Sequence, residues 1–134
     1  MRHLLLDTCA YSALDRGHPG LNAALNGADS ITLSAVTLGE LRSGFKRGTQ
    51  EGLNESKLRR FLLSPRIVVV PVDEDTSQFY GQISAYLRGQ GKPIPTNDIW
   101  IAASAMQHGL RLVTTDRHFR EIPQVIVDYY EPAA

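Results

Sequence analysis

Apolar residues occur along the chain in two arrangements, as short uninterrupted runs and as longer stretches in which they recur every three or four positions. The runs predict buried strands, since strands covered on both faces of a parallel sheet are apolar throughout. The longer stretches predict amphipathic helices. Strands are predicted at 3–6, 31–34, 67–70, 112–115 and 125–127, and helices at 9–27 with a break near 17–20, 37–46, 55–63, 74–88 and 97–108.

This alternation of strands and helices predicts an α/β fold, in which a mostly parallel central sheet is covered by helices on both faces. The β-branched run Ile67–Val70 is typical of a central strand, and Val72 is a candidate to extend it beyond Pro71. Gly109 is expected to end the helix before it, because glycine is common directly after a helix. A length of 134 residues fits a single domain spanning 1–134.

Composition and charge exclude several classes of protein. Lys plus Arg and Asp plus Glu each total 14, so the net charge gives no indication of a strongly polyanionic partner. The N-terminal apolar run is too short for a signal peptide and ends at Asp7, and no other run approaches membrane-spanning length. The single cysteine, Cys9, fits a reducing compartment, and we interpret it as a small core residue. These features predict a cytoplasmic protein without membrane contact.

Basic residues are concentrated in the middle third of the chain, where only Glu51 and Glu55 oppose them. Two interpretations remain open. A solvated helix face is the commoner outcome of such a tract, and a track for a nucleic acid backbone is the alternative. The basic tract comprises Arg42, Lys46, Arg47, Lys57, Arg59, Arg60 and Arg66.

Four acidic residues, Asp7, Glu40, Asp98 and Asp116, each lie where a predicted element begins or ends. Asp7 and Asp116 follow strands, and Glu40 and Asp98 are expected in the first turns of helices. Because the strands of an open α/β sheet end at a common edge, these side chains are expected to converge on one crevice. Each also has a structural explanation. Thr37 and Glu40 match a capping box, Asp98 would complement a helix dipole, and aspartate is common at strand-to-turn positions.

A cluster of four carboxylates requires a cation, because two carboxylates about 4 Å apart repel by about 4 kcal/mol at an effective dielectric near 20. Oxygen ligands favour Mg²⁺ or Mn²⁺, and no set of histidines or cysteines has the spacing of a zinc site. We interpret the four histidines as surface or helix-end residues: His3, His18, His108 and His118. Carboxylate-bound Mg²⁺ is the usual arrangement for chemistry on phosphates, so phosphodiester chemistry is the first hypothesis.

Four segments of the chain occur in a specific order: LLLDT at 4–8, TLGELRSG at 37–44, PIPTNDIWIAA at 93–103 and LVTTDRHF at 112–119. Together they resemble PIN-domain ribonucleases, in particular the VapC toxin branch, over essentially the full chain. The resemblance implies a Rossmann-like, three-layer α/β/α fold and an endoribonuclease that depends on Mg²⁺, with Mn²⁺ as a substitute. It also implies the toxin of a type II toxin–antitoxin pair, a homodimer that a VapB-type antitoxin neutralises in a hetero-oligomer.

The same resemblance implies roles for individual residues. Asp7 and Asp98 would bind metal directly, Glu40 would bind metal or hold a water molecule, and Asp116 would complete the shell of a second ion or orient water. Thr8 and Thr114 match supporting positions of the family, so they are predicted to assist the site. The implied reaction is in-line attack of a metal-activated water on an RNA phosphodiester.

Two other classes of protein can be compared with this one. A phospho-acceptor signalling domain also gathers acids around Mg²⁺, but it needs a lysine at the end of a late strand, and the segment 112–116 ends in none. A non-catalytic binding module would use its acids only as caps and would bind no metal. The resemblance gives the basic tract two further uses, guiding RNA or docking an acidic antitoxin segment.

Overall fold

The computed structural model describes residues 2–133 as a five-stranded, fully parallel sheet with helices on both faces. The strands, in the spatial order β3-β2-β1-β4-β5, are β1 (His3–Leu6), β2 (Ser30–Ser34), β3 (Ile67–Val70), β4 (Arg111–Thr114) and β5 (Val127–Tyr129). The helices are α1 (Thr8–Asp15), α2 (Pro19–Asn26), α3 (Ala35–Arg47), α4 (Glu51–Leu62), α5 (Glu74–Gly89) and α6 (Thr96–His108), followed by a short 3₁₀ helix, Arg117–Glu121.

Alternate residues of β1 supply two separate hydrophobic cores. Leu5 packs with residues of α5 and α6 on one face of the sheet, whereas Leu4 and Leu6 pack with residues of α1 and α2 on the other. All three leucines are fully buried, and burying a leucine side chain contributes about 1.5–3 kcal/mol. This explains why β1 is apolar at successive positions, and it confirms the predicted three-layer α/β/α architecture.

The prediction that 67–70 forms a central strand is wrong, because β3 lies at the edge of the sheet and pairs only with β2. Its exposed residues Val68 and Val69 retain 44% and 45% of their accessible surface. The strand also ends at Val70, so Val72 does not extend it. A β-branched run favours a strand but does not specify which neighbours that strand has.

Several element boundaries differ from the predicted ones. Helix α3 begins at Ala35, where the Ser34 hydroxyl accepts the N–H of Val36 at 3.1 Å, so Glu40 lies in the second turn. Helix α4 begins at Glu51, and the last strand spans Val127–Tyr129, two residues later than predicted. These shifts move the ends of elements and leave their order unchanged.

Gly109 follows α6 in a left-handed conformation with φ of 64°, which confirms the predicted end of the helix. A residue with a Cβ pays a steric cost at this φ, whereas glycine does not. Among residues 2–133, no helix combines the length and hydropathy required to cross a membrane.

Candidate active site

The four predicted acids lie around the carboxyl edge of the sheet, next to the junction of β1 and β4. These strands are adjacent and parallel, so Asp7 and Asp116, which follow them, lie at the same edge. The chain runs from β1 to β2 on one side, while β4 lies on the other side of β1. This is a topological switch point, the place where open α/β sheets form a crevice.

Asp7 is held rigidly at this crevice. Its side chain is only 2% exposed, its Oδ1 accepts the N–H of Ala10 at 2.8 Å, and its Oδ2 accepts the hydroxyl of Thr114 at 2.6 Å. The same Thr114 Oγ1 accepts the N–H of Asp116 at 2.8 Å. Asp7 therefore does cap α1, and Thr114 links it to Asp116. The capping role and a role in the site are compatible.

The pKa values of Asp7 and Asp98 are both raised, and the charges of the other acids contribute to each increase. Burial, followed by the charges of Asp98 and Asp116, raises the pKa of Asp7 to about 7 against the opposing hydrogen bonds from Thr114 and Ala10. Burial, followed by the charges of Asp116 and Glu40, raises the pKa of Asp98 to about 6. The carboxylates thus repel one another within a partly dehydrated crevice.

Glu40 does not form the predicted capping box with Thr37, because Ser34 caps the helix instead. Its Oε1 accepts the hydroxyl of Thr8, and its Oε2 accepts the side-chain amide of Asn97 at 3.2 Å. The sequence interpretation missed Asn97, although its position beside Asp98 at the start of α6 was the available signal. Thr8 and Asn97 together hold the Glu40 carboxylate toward the other acids.

Two histidines make contacts that the sequence interpretation did not anticipate. His118 is exposed, as predicted, but its Nδ1 lies 3.3 Å from Oδ1 of Asp116. His18 is buried and confirms the interpretation as a helix-end residue, because it caps α2: its Nδ1 accepts the N–H of Leu21, and its Nε2 bonds to the backbone oxygen of Glu131. Its ring thereby joins α2 to the C-terminal segment.

Cys9 is not the small core residue that was predicted. It is exposed beside the crevice, where partial desolvation of the sulfur raises the pKa of its thiol to about 11. All four acids add to this increase through their negative charges. The thiol therefore stays protonated at neutral pH, which argues against a nucleophilic role.

The donors in this crevice fit a divalent cation. Four carboxylates converge, two of them with raised pKa values, and oxygen donors of this kind suit hard divalent ions. One atom from each of Asp98, Asp116 and His118 lies within 4.8 Å of the others. A bound cation would relieve the repulsion among these carboxylates.

Most of the basic tract is engaged within the protein. Acidic partners hold four of its side chains: Arg42 and Arg59 pair with Glu55, Lys46 with Glu51, and Lys57 with Asp15. Arg66 instead donates to the backbone oxygens of Leu25, in the last turn of α2, and of Ala28, just after that helix. These contacts agree with the solvated helix face better than with a continuous nucleic acid track.

The chain is also similar in sequence to known proteins. The family model of the PIN domain matches residues 4–125. The chain belongs to the PIN domain family. This PIN domain is 34% identical to ribonuclease VapC4 of Mycobacterium tuberculosis over 95 residues, which cover 71% of this chain and 73% of that protein. It therefore also belongs to the VapC family.

Solved structures agree with the fold of this PIN domain. The VapBC2 structure from Rickettsia felis, bound to a DNA fragment from its promoter, superposes with a TM-score of 0.85 at 25% identity, covering 96% of this chain and 99% of that one. VapBC-5 from Mycobacterium tuberculosis, a member of the VapBC family of toxin–antitoxin systems, gives 0.75 at 25% identity, with coverage of 97% and 100%. The α/β/α fold is thus shared over nearly the whole length.

Proposed function

We propose that this PIN domain is an endoribonuclease dependent on Mg²⁺ or Mn²⁺, and that it is the toxin of a type II toxin–antitoxin pair. The observation that carries the proposal is the convergence of four acids at the switch point of the sheet, with the pKa of Asp7 raised to about 7 and that of Asp98 to about 6. Perturbed acids in a crevice are typical of catalytic sites. Membership of the VapC family directs the proposal to RNA.

The four acids would have different roles in binding the ion. Asp7 and Asp98 are the direct ligands in this proposal, Glu40 is a further ligand or holds a water, and Asp116 completes the shell or orients water. A divalent ion supplies an acidified water and neutralises charge on the phosphate oxygens when it is bound. Thr114 fixes the Asp7 carboxylate by its 2.6 Å hydrogen bond, so less ordering is required when the ion binds.

Two grooves beside the acids provide a path for an RNA strand. One, of about 490 Å³, lies against Glu40 and includes Asn97 and the exposed Arg47. The other, of about 570 Å³, lies against Asp116 and includes the exposed Arg117. A guanidinium thus lines a groove on each side of the acids, where it would offset the repulsion between carboxylates and a phosphate backbone. Arg47 donates to the hydroxyl of Ser43. Arg117 pairs with the exposed Glu131 of its own groove at 3.3 Å, so it would exchange this partner for a phosphate when RNA binds.

The partners follow from the same family relationship. We propose that a VapB-type antitoxin neutralises the protein, that the toxin is a homodimer, and that both assemble into a hetero-oligomer. The VapBC-5 structure, which belongs to a toxin–antitoxin system, supports this assignment. Within the basic tract, Arg42, Lys46, Lys57 and Arg59 are already paired with acids, which leaves an acidic antitoxin segment fewer free cations there.

The deciding experiment compares wild-type protein with Asp98→Asn in cleavage of total cellular RNA, with Mg²⁺ or Mn²⁺ and with a chelator. The substitution keeps the shape of the side chain and removes one charge, so cleavage is expected to fall more than about 100-fold while the fold persists. Asp15→Asn is the matched control, because Asp15 is not one of the four acids of the crevice and pairs with Lys57 at 3.5 Å. Normal cleavage by Asp98→Asn would refute the proposal.

A further inference from the structure

His118 reaches the acids because of a tight turn after β4. Asp116 caps the 3₁₀ helix, and its Oδ1 accepts the backbone N–H of His118 at 2.9 Å. This turn brings the imidazole back over the same carboxylate, so that Nδ1 lies 3.3 Å from Oδ1. The His118 side chain is 61% exposed, so core packing does not account for its position.

The distances among three donors are close to those around a single ion. One atom each from Asp98, Asp116 and His118 lies within 4.8 Å of the other two. Donors on opposite sides of an ion with bonds of about 2.1 Å are about 4.2 Å apart, and adjacent donors are closer. Small side-chain movements therefore suffice to place all three on one ion.

We propose that Nδ1 of His118 is a further protein ligand of the ion that Asp98 binds and whose shell Asp116 completes, and that it biases this site toward Mn²⁺ over Mg²⁺. The inference rests on the metal centre of the proposed function. Mg²⁺ is held by oxygen donors and retains its waters. Mn²⁺ shares the preference for carboxylates, but it belongs to the first-row series that also binds in sites containing nitrogen donors, so it loses less than Mg²⁺ when an imidazole replaces an oxygen. Exchanging one oxygen donor for nitrogen therefore shifts the preference of a carboxylate site.

The other three histidines are placed where they cannot supply this nitrogen. His3 begins β1 at the opposite edge of the sheet, with its Nδ1 2.7 Å from the hydroxyl of Ser30. Both ring nitrogens of His18 are engaged by Leu21 and Glu131. His108 ends α6, whereas Asp98 lies in its first turn. A histidine nitrogen bound to the ion would consequently be that of His118.

Pulsed electron paramagnetic resonance of the Mn²⁺-loaded protein tests this inference directly. With any affinity tag removed, the wild-type protein is expected to show modulation from a directly bound ¹⁴N nucleus. His118→Ala is expected to abolish that modulation, and His108→Ala is expected to retain it. The measurement concerns the ligand atom itself, so it requires neither RNA nor turnover.

Titration calorimetry measures the expected selectivity. His118→Ala should weaken Mn²⁺ binding by about 10- to 100-fold, a range typical for loss of a supporting group at a metal site, and Mg²⁺ binding by less than about threefold. His118→Asn substitutes an amide for the imidazole. It should preserve Mg²⁺ affinity but lose the preference for Mn²⁺.

Each contrary result has a distinct meaning. Bound Mn²⁺ without nitrogen modulation would overturn the role of His118. If that protein still cleaved RNA and the cleavage required Asp98, the proposed function would hold although the inference about His118 had failed. Failure of the protein to bind Mn²⁺ at all would overturn the inference and the proposed metal centre together. Equal losses of Mn²⁺ and Mg²⁺ affinity in His118→Ala would overturn the selectivity.

Discussion

Asp7→Asn is expected to stabilise the metal-free protein above neutral pH, even though it removes a carboxylate that the proposed reaction requires. The pKa of Asp7 is about 7 in the folded protein because of burial and the charges of Asp98 and Asp116, and about 3.9 in an unfolded chain. The folded state therefore binds the proton more tightly. Its stability is greatest below the unfolded pKa and declines as the pH rises through the folded pKa.

The magnitude follows from the difference in pKa. About three pH units at 1.36 kcal/mol each give about 4 kcal/mol as an upper value for the cost of ionising Asp7 in the folded protein. Asparagine removes this cost and retains an oxygen for the N–H of Ala10, but it weakens the bond with Thr114 by about 1–2 kcal/mol. The net gain in the free energy of unfolding at pH 8 is therefore about 2–3 kcal/mol.

Urea unfolding with a chelator at pH 4.5 and pH 8 measures this effect. Most of the gain is expected at pH 8, because Asp7 is protonated in the folded protein at pH 4.5. Asp73→Asn is the matched control: Asp73 also caps a helix, but the bonds from Thr76 lower its pKa. The control should therefore lose stability at pH 8. An Asp7→Asn protein that is less stable than wild type at pH 8 would refute the reasoning.

Two further outcomes are expected. Thr114→Val removes the hydroxyl that donates to Asp7. A hydrogen bond to a charged group contributes about 1.5–3 kcal/mol, so its loss should raise the pKa of Asp7 by a further one to two units or so. An unchanged ¹³C NMR titration of Asp7 would contradict this. Arg117→Ala, in an Asp98→Asn background, should weaken binding of single-stranded RNA and lower the slope of log affinity against log salt by about 0.7. Lys57→Ala is its control, and equal slopes would exclude Arg117 from the RNA path.

The sequence was sufficient to predict the layers of the fold and the place of the acids. Successive leucines in β1 indicate a strand that is buried on both faces, and Asp7 and Asp116 follow strands that end at one edge. Both inferences rest on local periodicity and on a general property of parallel sheets. The order of strands in the sheet depends on contacts between distant parts of the chain and not on local periodicity, so the edge position of β3 was not predicted.

Side-chain direction was the other feature that local sequence could not supply. Ser34 and Thr37 are both suitable caps three residues apart, and only the structure shows that Ser34 caps α3 while Glu40 turns to Thr8. His118 likewise reaches Asp116 through the turn of a 3₁₀ helix. Thr8 and Glu40 lie 32 positions apart in the sequence, so this contact depends on the packing of the whole fold. The contact of His118 is local, but it depends on the backbone turn after β4, which the sequence pattern does not specify.

The division of β1 between two cores also limits how this protein can evolve. Because Leu5 and its neighbours face opposite sides, inserting or deleting one residue within 3–6 would exchange the two faces and displace Asp7 by one residue, about 3.3 Å along the strand. Such a change would disrupt the packing of both cores and the position of Asp7 at the same time. Length changes in this strand should therefore be eliminated by selection, whereas substitution at Asp7 leaves the core intact and offers a short route to stable, inactive descendants.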